Sequence, residues 1–183
     1  FSFCWYFDRN NTDGPATNNA LKLYLQSPNR SRLKFCLMVA NHEGYYINPQ
    51  NWSQIKKYWL QAIKEPGYLT VNGKPLLIFF EYRKMLENFG SKETLRQAFQ
   101  SLKDEAKGLT IGLCAWPGVN QQEVNDCGFD LITGYNHHES GLSGIVTPIR
   151  QMAETEYKIW EGFKNTRLPY IPVSTLNWDR RPW

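Results

Sequence analysis

The sequence predicts an α/β fold, a (β/α)8 TIM-type barrel of which residues 1–183 supply about six strand-helix units as a single domain. Apolar strand-like runs alternate with amphipathic helical patterns along the chain. Each run ends in a burst of aromatic, amide and acidic residues. In a parallel sheet all such endings lie on one face, so residues far apart in sequence converge on one polar, aromatic-lined rim.

The first run covers residues 1–7 and ends in Trp5, Tyr6 and Asp8. A short helix follows over 18–26, with Leu21 and Leu25 on one face and Pro28 ending it. The run 33–41 ends in Asn41, His42 and Glu43. A helix over 51–64 places Trp52, Ile55, Trp59, Ala62 and Ile63 on one stripe and stops at Pro66-Gly67. Thr70 to Pro75 reads as a tight turn feeding the run 75–81, which ends in Glu81, Tyr82 and Arg83.

Residues 92–107 carry Leu95, Ala98, Phe99, Leu102 and Ala106 at helical spacing, with Ser91 as N-cap and Gly108 as breaker. The run 109–115 leads into Trp116, and 130–133 leads into Tyr135, Asn136, His137, His138 and Glu139. A last amphipathic pattern runs from Ile145 through Ile149, Met152, Trp160 and Phe163. Pro169 precedes the run 170–176, which feeds Asn177, Trp178, Asp179 and Arg180.

A complete barrel of this class takes about 250 residues, so roughly a quarter lies outside these 183. The first residue is not Met and falls inside an apolar strand, which predicts a segment of a longer protein. With 21 bases interleaved among 17 acids there is no long basic run, which argues against a nucleic-acid partner and for a neutral or weakly charged ligand. No apolar run approaches membrane-spanning length, so no membrane contact is expected from this segment. Cys4, Cys36, Cys114 and Cys127 lack CxxC spacing, and three of them fall in predicted strands as small buried hydrophobes; disulfide or metal ligation is the competing reading.

Glu43 stands just past the end of a buried-strand run, where a carboxylate faces the rim; capping the next helix or pairing with a lysine is the alternative. Glu81 follows its run in the same way, with a rim ion pair to Arg83 or Lys84 as the competing role. These two are the candidate catalytic carboxylates. The Tyr135 to Glu139 cluster suits hydrogen bonds to a polyhydroxylated ligand, since adjacent histidines on one loop seldom ligate one ion; no metal and no cofactor is predicted. No phosphate loop, nucleophile elbow or His-Glu-x-x-His motif is present. Trp5, Tyr6, Tyr45, Tyr46, Tyr82, Trp116, Tyr135 and Trp178 lie near strand ends, where rings stack on sugar faces while amides and carboxylates bind hydroxyls. Core packing is the other expectation for Trp5 and Tyr6.

The run Phe35-Cys36-Leu37-Met38-Val39-Ala40-Asn41-His42-Glu43 resembles the strand ending in Ala-Asn-Glu or His-Ile-Glu in the glycoside hydrolase family 99-like and WbsX-like proteins. Tyr68-Leu69-Thr70-Val71-Asn72-Gly73-Lys74-Pro75-Leu76 resembles that family's Gly-Lys-Pro-Leu stretch, and Asn177-Trp178-Asp179-Arg180-Arg181-Pro182 its Gly-Trp-Asp-x-x-x-Arg segment. The matches fall in the same order and span most of the chain.

The resemblance implies a barrel that cleaves glycosides, including endo-acting enzymes on α-mannosides, or a protein of polysaccharide biosynthesis. A noncatalytic glycan-binding module is a third possibility. The family's catalytic Glu-Trp-x-Glu motif follows the Trp-Asp segment and is expected beyond Trp183. The substrate-binding set is then Asn41, His42, Glu43, Tyr6, Glu81, Trp116, Tyr135, His137, Trp178, Asp179 and Arg180. Within it Glu43 and Asp179 would hold sugar hydroxyls on opposite sides of the scissile bond, and Tyr135 and Trp178 would shape a sugar subsite. A hydrolase of this kind is expected in the periplasm or outside the cell, a biosynthetic protein in the cytoplasm.

Overall fold

The structure, a computed structural model, describes residues 1–8, 16–136 and 147–175. Its elements are β1 (Ser2–Trp5), α1 (Asn19–Gln26), β2 (Cys36–Val39), α2 (Pro49–Ala62), β3 (Thr70–Val71), β4 (Lys74–Phe79), α3 (Arg83–Phe89), α4 (Lys92–Glu105), β5 (Thr110–Cys114), α5 (Gln121–Asp126), β6 (Leu131–Thr133) and α6 (Ile149–Phe163). They form an α/β fold on a mostly parallel six-stranded sheet.

The parallel strands stand in the order β1-β2-β4-β5-β6, each beside the next parallel strand in the chain. β3 pairs antiparallel with the start of β4 through Asn72-Gly73, both at positive φ (51° and 77°). Those angles match the right-handed twist of the two strands, which is why Asn-Gly stands in the turn.

Register sorts the strand residues into two faces. Trp5, Val39, Phe79, Leu113 and Ile132 lie side by side, and this face meets the helices. The Trp59 ring of α2 sits 5.8 Å from Trp5 and 5.3 Å from Phe79 edge to face, and Phe99 of α4 lies 5.2 Å from Phe79. Trp52 extends the cluster to Phe89 and Phe99. Each such ring pair adds about 0.5–1.5 kcal/mol to the area it buries, so this aromatic layer ties α2, α3 and α4 to the sheet.

The opposite face carries Cys4, Met38, Ile78, Gly112 and Leu131 in register. It is concave. The Cys114 thiol of β5 reaches the Met38 sulfur of β2 at 3.3 Å, although β4 runs between those strands. Neighbouring strands are about 4.8 Å apart, so on a flat sheet the two backbones would stand nearly 10 Å from each other, and curvature together with the reach of the Met38 side chain closes the gap. Gly112 leaves no room for a side chain: a Cβ there would lie 2.8 Å from Leu131 Cδ1 and 3.4 Å from Ile78 Cγ1.

Several expectations need correction. The run 170–176 forms no strand over residues 170–175; one parallel bridge, Ile132 to Tyr170, places it beside β6. Pro169 and Pro172 have no N–H to donate, so the ladder does not propagate. The Thr133 hydroxyl and the Ile171 and Ile132 amides supply the remaining links. The pattern that starts at Ile145 is helical only from Ile149, and 145–146 lie outside the described residues. Helices α3 and α5 were not foreseen; they bury only Met85 and Phe89, and Val124.

All four cysteines are free thiols. Among the described residues no helix is long and apolar enough to cross a membrane.

Candidate functional site

The C-terminal ends of the parallel strands bring five rings together on the concave side. His42, just after β2, stands at their centre: its ring is 5.8 Å from Tyr6, 5.6 Å from Tyr45 and 5.8 Å from Phe80, each edge to face. Tyr6 meets Tyr45 at 4.9 Å, and Phe80 meets Tyr135 at 5.6 Å. These rings come from the ends of β1, β2, β4 and β6. Tyr135 is 42% exposed, so the cluster opens to solvent on that side.

Side-chain amides hold the cluster in place. Asn18, buried before α1, accepts the Tyr6 N–H through Oδ1 and donates Nδ2 to the Tyr6 carbonyl, both at 2.9 Å. The amide thus acts as one rung of a strand ladder and orients Tyr6. The loop between His42 and α2 is pinned by the reciprocal caps of Asn48 and Asn51. Asn51 Nδ2 also donates to the Tyr46 carbonyl, and Asn88 of α3 to that of Ile47.

Asn41 is buried beneath the rim. It accepts N–H bonds from Phe80 and Glu81 and donates to the Glu81 carbonyl. Its polar atoms serve backbone, so it positions the rim, a different role from the ligand contact expected of it. Glu43 is exposed at the loop tip beside Gly44, whose φ of 86° makes the turn. Glu81 is half-buried, and its Oε1 accepts the Arg83 N–H at the start of α3. Its contact is thus the backbone of Arg83, where an ion pair had been the competing expectation.

Two rim aromatics turn the other way. Trp5 belongs to the helix-facing layer, and Tyr82 is buried against Phe129 with its hydroxyl donating to Glu123 Oε2 at 2.7 Å. Trp116, after β5, is 49% exposed. Tyr46 is exposed under Lys84 Nζ, 5.7 Å from its ring centre. His137, Trp178, Asp179 and Arg180 lie outside the described residues, as do His138 and Glu139.

Burial raises the pKa of the Tyr6 hydroxyl, with Cys4, Tyr135 and Tyr45 adding to the effect. Tyr135 rises for the same first reason, then through Cys4 and Cys114. Both phenols therefore stay protonated at neutral pH, and the Tyr6 hydroxyl lies in a hydrogen bond with Cys4. Among the described residues no group of three or more His, Cys, Asp or Glu side chains is placed to hold a metal ion.

Phe80 and Asn18 are the members that sequence reasoning did not single out. Phe80 shares the period-two face of Ile78, a usable signal; Asn18 gave none. Comparison with protein-family models gives no match, and comparison with curated proteins gives none either.

Proposed function

We propose that this chain is a glycan-handling domain of glycoside hydrolase type, built on a TIM-type barrel, and that the Tyr6, His42, Tyr45, Phe80 and Tyr135 rim receives the sugar. The observation that carries the reading is the convergence of those five rings at strand ends on the concave side. Rings of this kind offer flat apolar faces to the C–H side of a pyranose. The exposed Glu43 stands in the loop beside them as an acceptor for hydroxyls.

Three features support the barrel. The parallel strands follow chain order, the helix contacts fall on one face, and the other face is concave and apolar. A sheet wound in one direction covers its inner face by closing on itself.

Hydrolysis needs two positioned carboxyl groups, an acid and a base or nucleophile. Glu81 already holds the Arg83 amide, so we assign it to binding and leave the cleavage pair unassigned. The test is to incubate the natural polypeptide with neutral oligosaccharides, α-mannosides included, and to measure both binding and product release. Cleavage that falls in Glu43→Gln supports the reading. Binding without turnover would make the domain a glycan-binding module, and nucleotide-sugar binding without oligosaccharide binding would point to biosynthesis.

A further inference from the structure

Adjoining the aromatic rim at Phe80, the ends of β4 and β5 enclose a cleft of about 230 Å³. Phe80, Glu81, Arg83, Cys114, Trp116 and Val119 line it. It is smaller than the roughly 300–1,000 Å³ of pockets that take drug-sized ligands, so it suits a single ring.

Its wall is built for a polar ring with one apolar face. Trp116 is the most exposed tryptophan among the described residues and gives the cleft a flat platform. The exposed Arg83 side chain lies near the Tyr82 hydroxyl, which donates to Glu123 Oε2 at 2.7 Å. Arg83 thus brings a group with five N–H donors to the same cleft as the platform. Glu81 brings a carboxylate to the same cleft. With Glu81 and Glu123 both near Arg83, the cleft has no excess positive charge with which to attract an anion.

Resting on the glycan reading above, we propose that this cleft is an adjoining subsite for one neutral pyranose unit, stacked on Trp116, with Arg83 donating to one hydroxyl and Glu81 accepting from its neighbour. The paired donor and acceptor suit vicinal hydroxyls, whereas a uronic acid or sugar phosphate would meet the Glu81 carboxylate in the lining.

The test titrates the chain with methyl α-mannoside, methyl β-glucoside and methyl glucuronide, followed by the tryptophan indole resonances. Trp116→Ala is expected to weaken the better neutral glycoside at least fivefold, and Trp116→Phe less than twofold. Because Trp116 is half exposed, its loss should leave the fold intact, which the remaining indole resonances report. Methyl glucuronide is expected to bind no more tightly than the neutral glycosides. Glycoside binding that Trp116→Ala leaves unchanged would overturn the subsite while the glycan reading stands. Tighter binding of the glucuronide, lost in Arg83→Gln, would overturn its neutral class. No binding of any glycoside or oligosaccharide to the unaltered chain would remove the glycan reading and this subsite together.

Discussion

Asn41 and Glu81 are joined by a two-way link between the ends of β2 and β4: the Asn41 carboxamide donates to the Glu81 carbonyl and accepts the Glu81 N–H at 3.0 Å. It also accepts the Phe80 N–H at 3.1 Å. One buried side chain thus closes the seam where the ladder between β2 and β4 runs out, and it sets both Phe80 of the rim and Glu81 of the cleft.

Replacing Asn41 with Ala leaves the Glu81 N–H and carbonyl without this partner, while the Phe80 N–H keeps the Val39 carbonyl at 3.0 Å; an unsatisfied polar group out of water costs about 1–3 kcal/mol. Urea denaturation of Asn41→Ala should show a loss in that range. Asn41→Asp keeps the acceptor but removes the donor, so it should also destabilise. A loss under about 0.5 kcal/mol in Asn41→Ala would be the size of an ordinary surface change and would contradict the role.

The concave face makes a second prediction. Gly112→Ala places a methyl 2.8 Å from Leu131 Cδ1, inside a packed layer. Overpacking of this kind costs about 1–3 kcal/mol. The double variant Gly112→Ala with Leu131→Ala should show a favourable coupling in a double-mutant cycle, because the second change removes the atom that is struck. Additive effects would mean that the two side chains do not meet.

How much was legible in the sequence follows from these same residues. The runs through Met38, Ile78 and Leu113 announced buried parallel strands, and the stripe of Trp52, Ile55 and Trp59 announced α2. Ser91 accepts the Thr94 N–H at 3.1 Å, the cap its position suggested. The split between Trp5 and Tyr6 was not legible, because adjacent strand residues face opposite sides and only register against Val39 shows which is inward. Phe80 and Tyr82 part for another reason: β4 ends at Phe79, and Tyr82 is already the N-cap of α3, where the period of two no longer holds. Helices α3 and α5, of 7 and 6 residues, are too short for periodicity to stand out. Asn41 and Asn18 could not be read as structural clips, since their partners lie 40 and 12 positions away.

Alkaline pH should weaken the fold through Cys114. Burial first, then the neighbouring Cys4 and Cys36, raises its pKa from 9.0 to about 12. Below pH 9 the thiol is neutral in both folded and unfolded chains, so its contribution is fully present. Between about 9 and about 12 the unfolded chain releases the proton while the folded chain keeps it, and stability falls by up to about 1.4 kcal/mol per pH unit for one such group. Urea denaturation at a series of pH values above 9 should give a shallower decline for Cys114→Ala than for the unaltered chain. Equal slopes would contradict the assignment.

The central claim is that the aromatic rim binds sugar, and ring resonances test it most directly. A neutral α-mannoside oligosaccharide is titrated into the chain while the signals of Tyr6, His42 and Tyr135 are followed, with the fully buried Trp59 indole as an internal reference. The account predicts saturable shifts at the three rim residues and none at Trp59. An absence of saturable shifts at the rim, across a panel of neutral oligosaccharides at millimolar concentration, would contradict it.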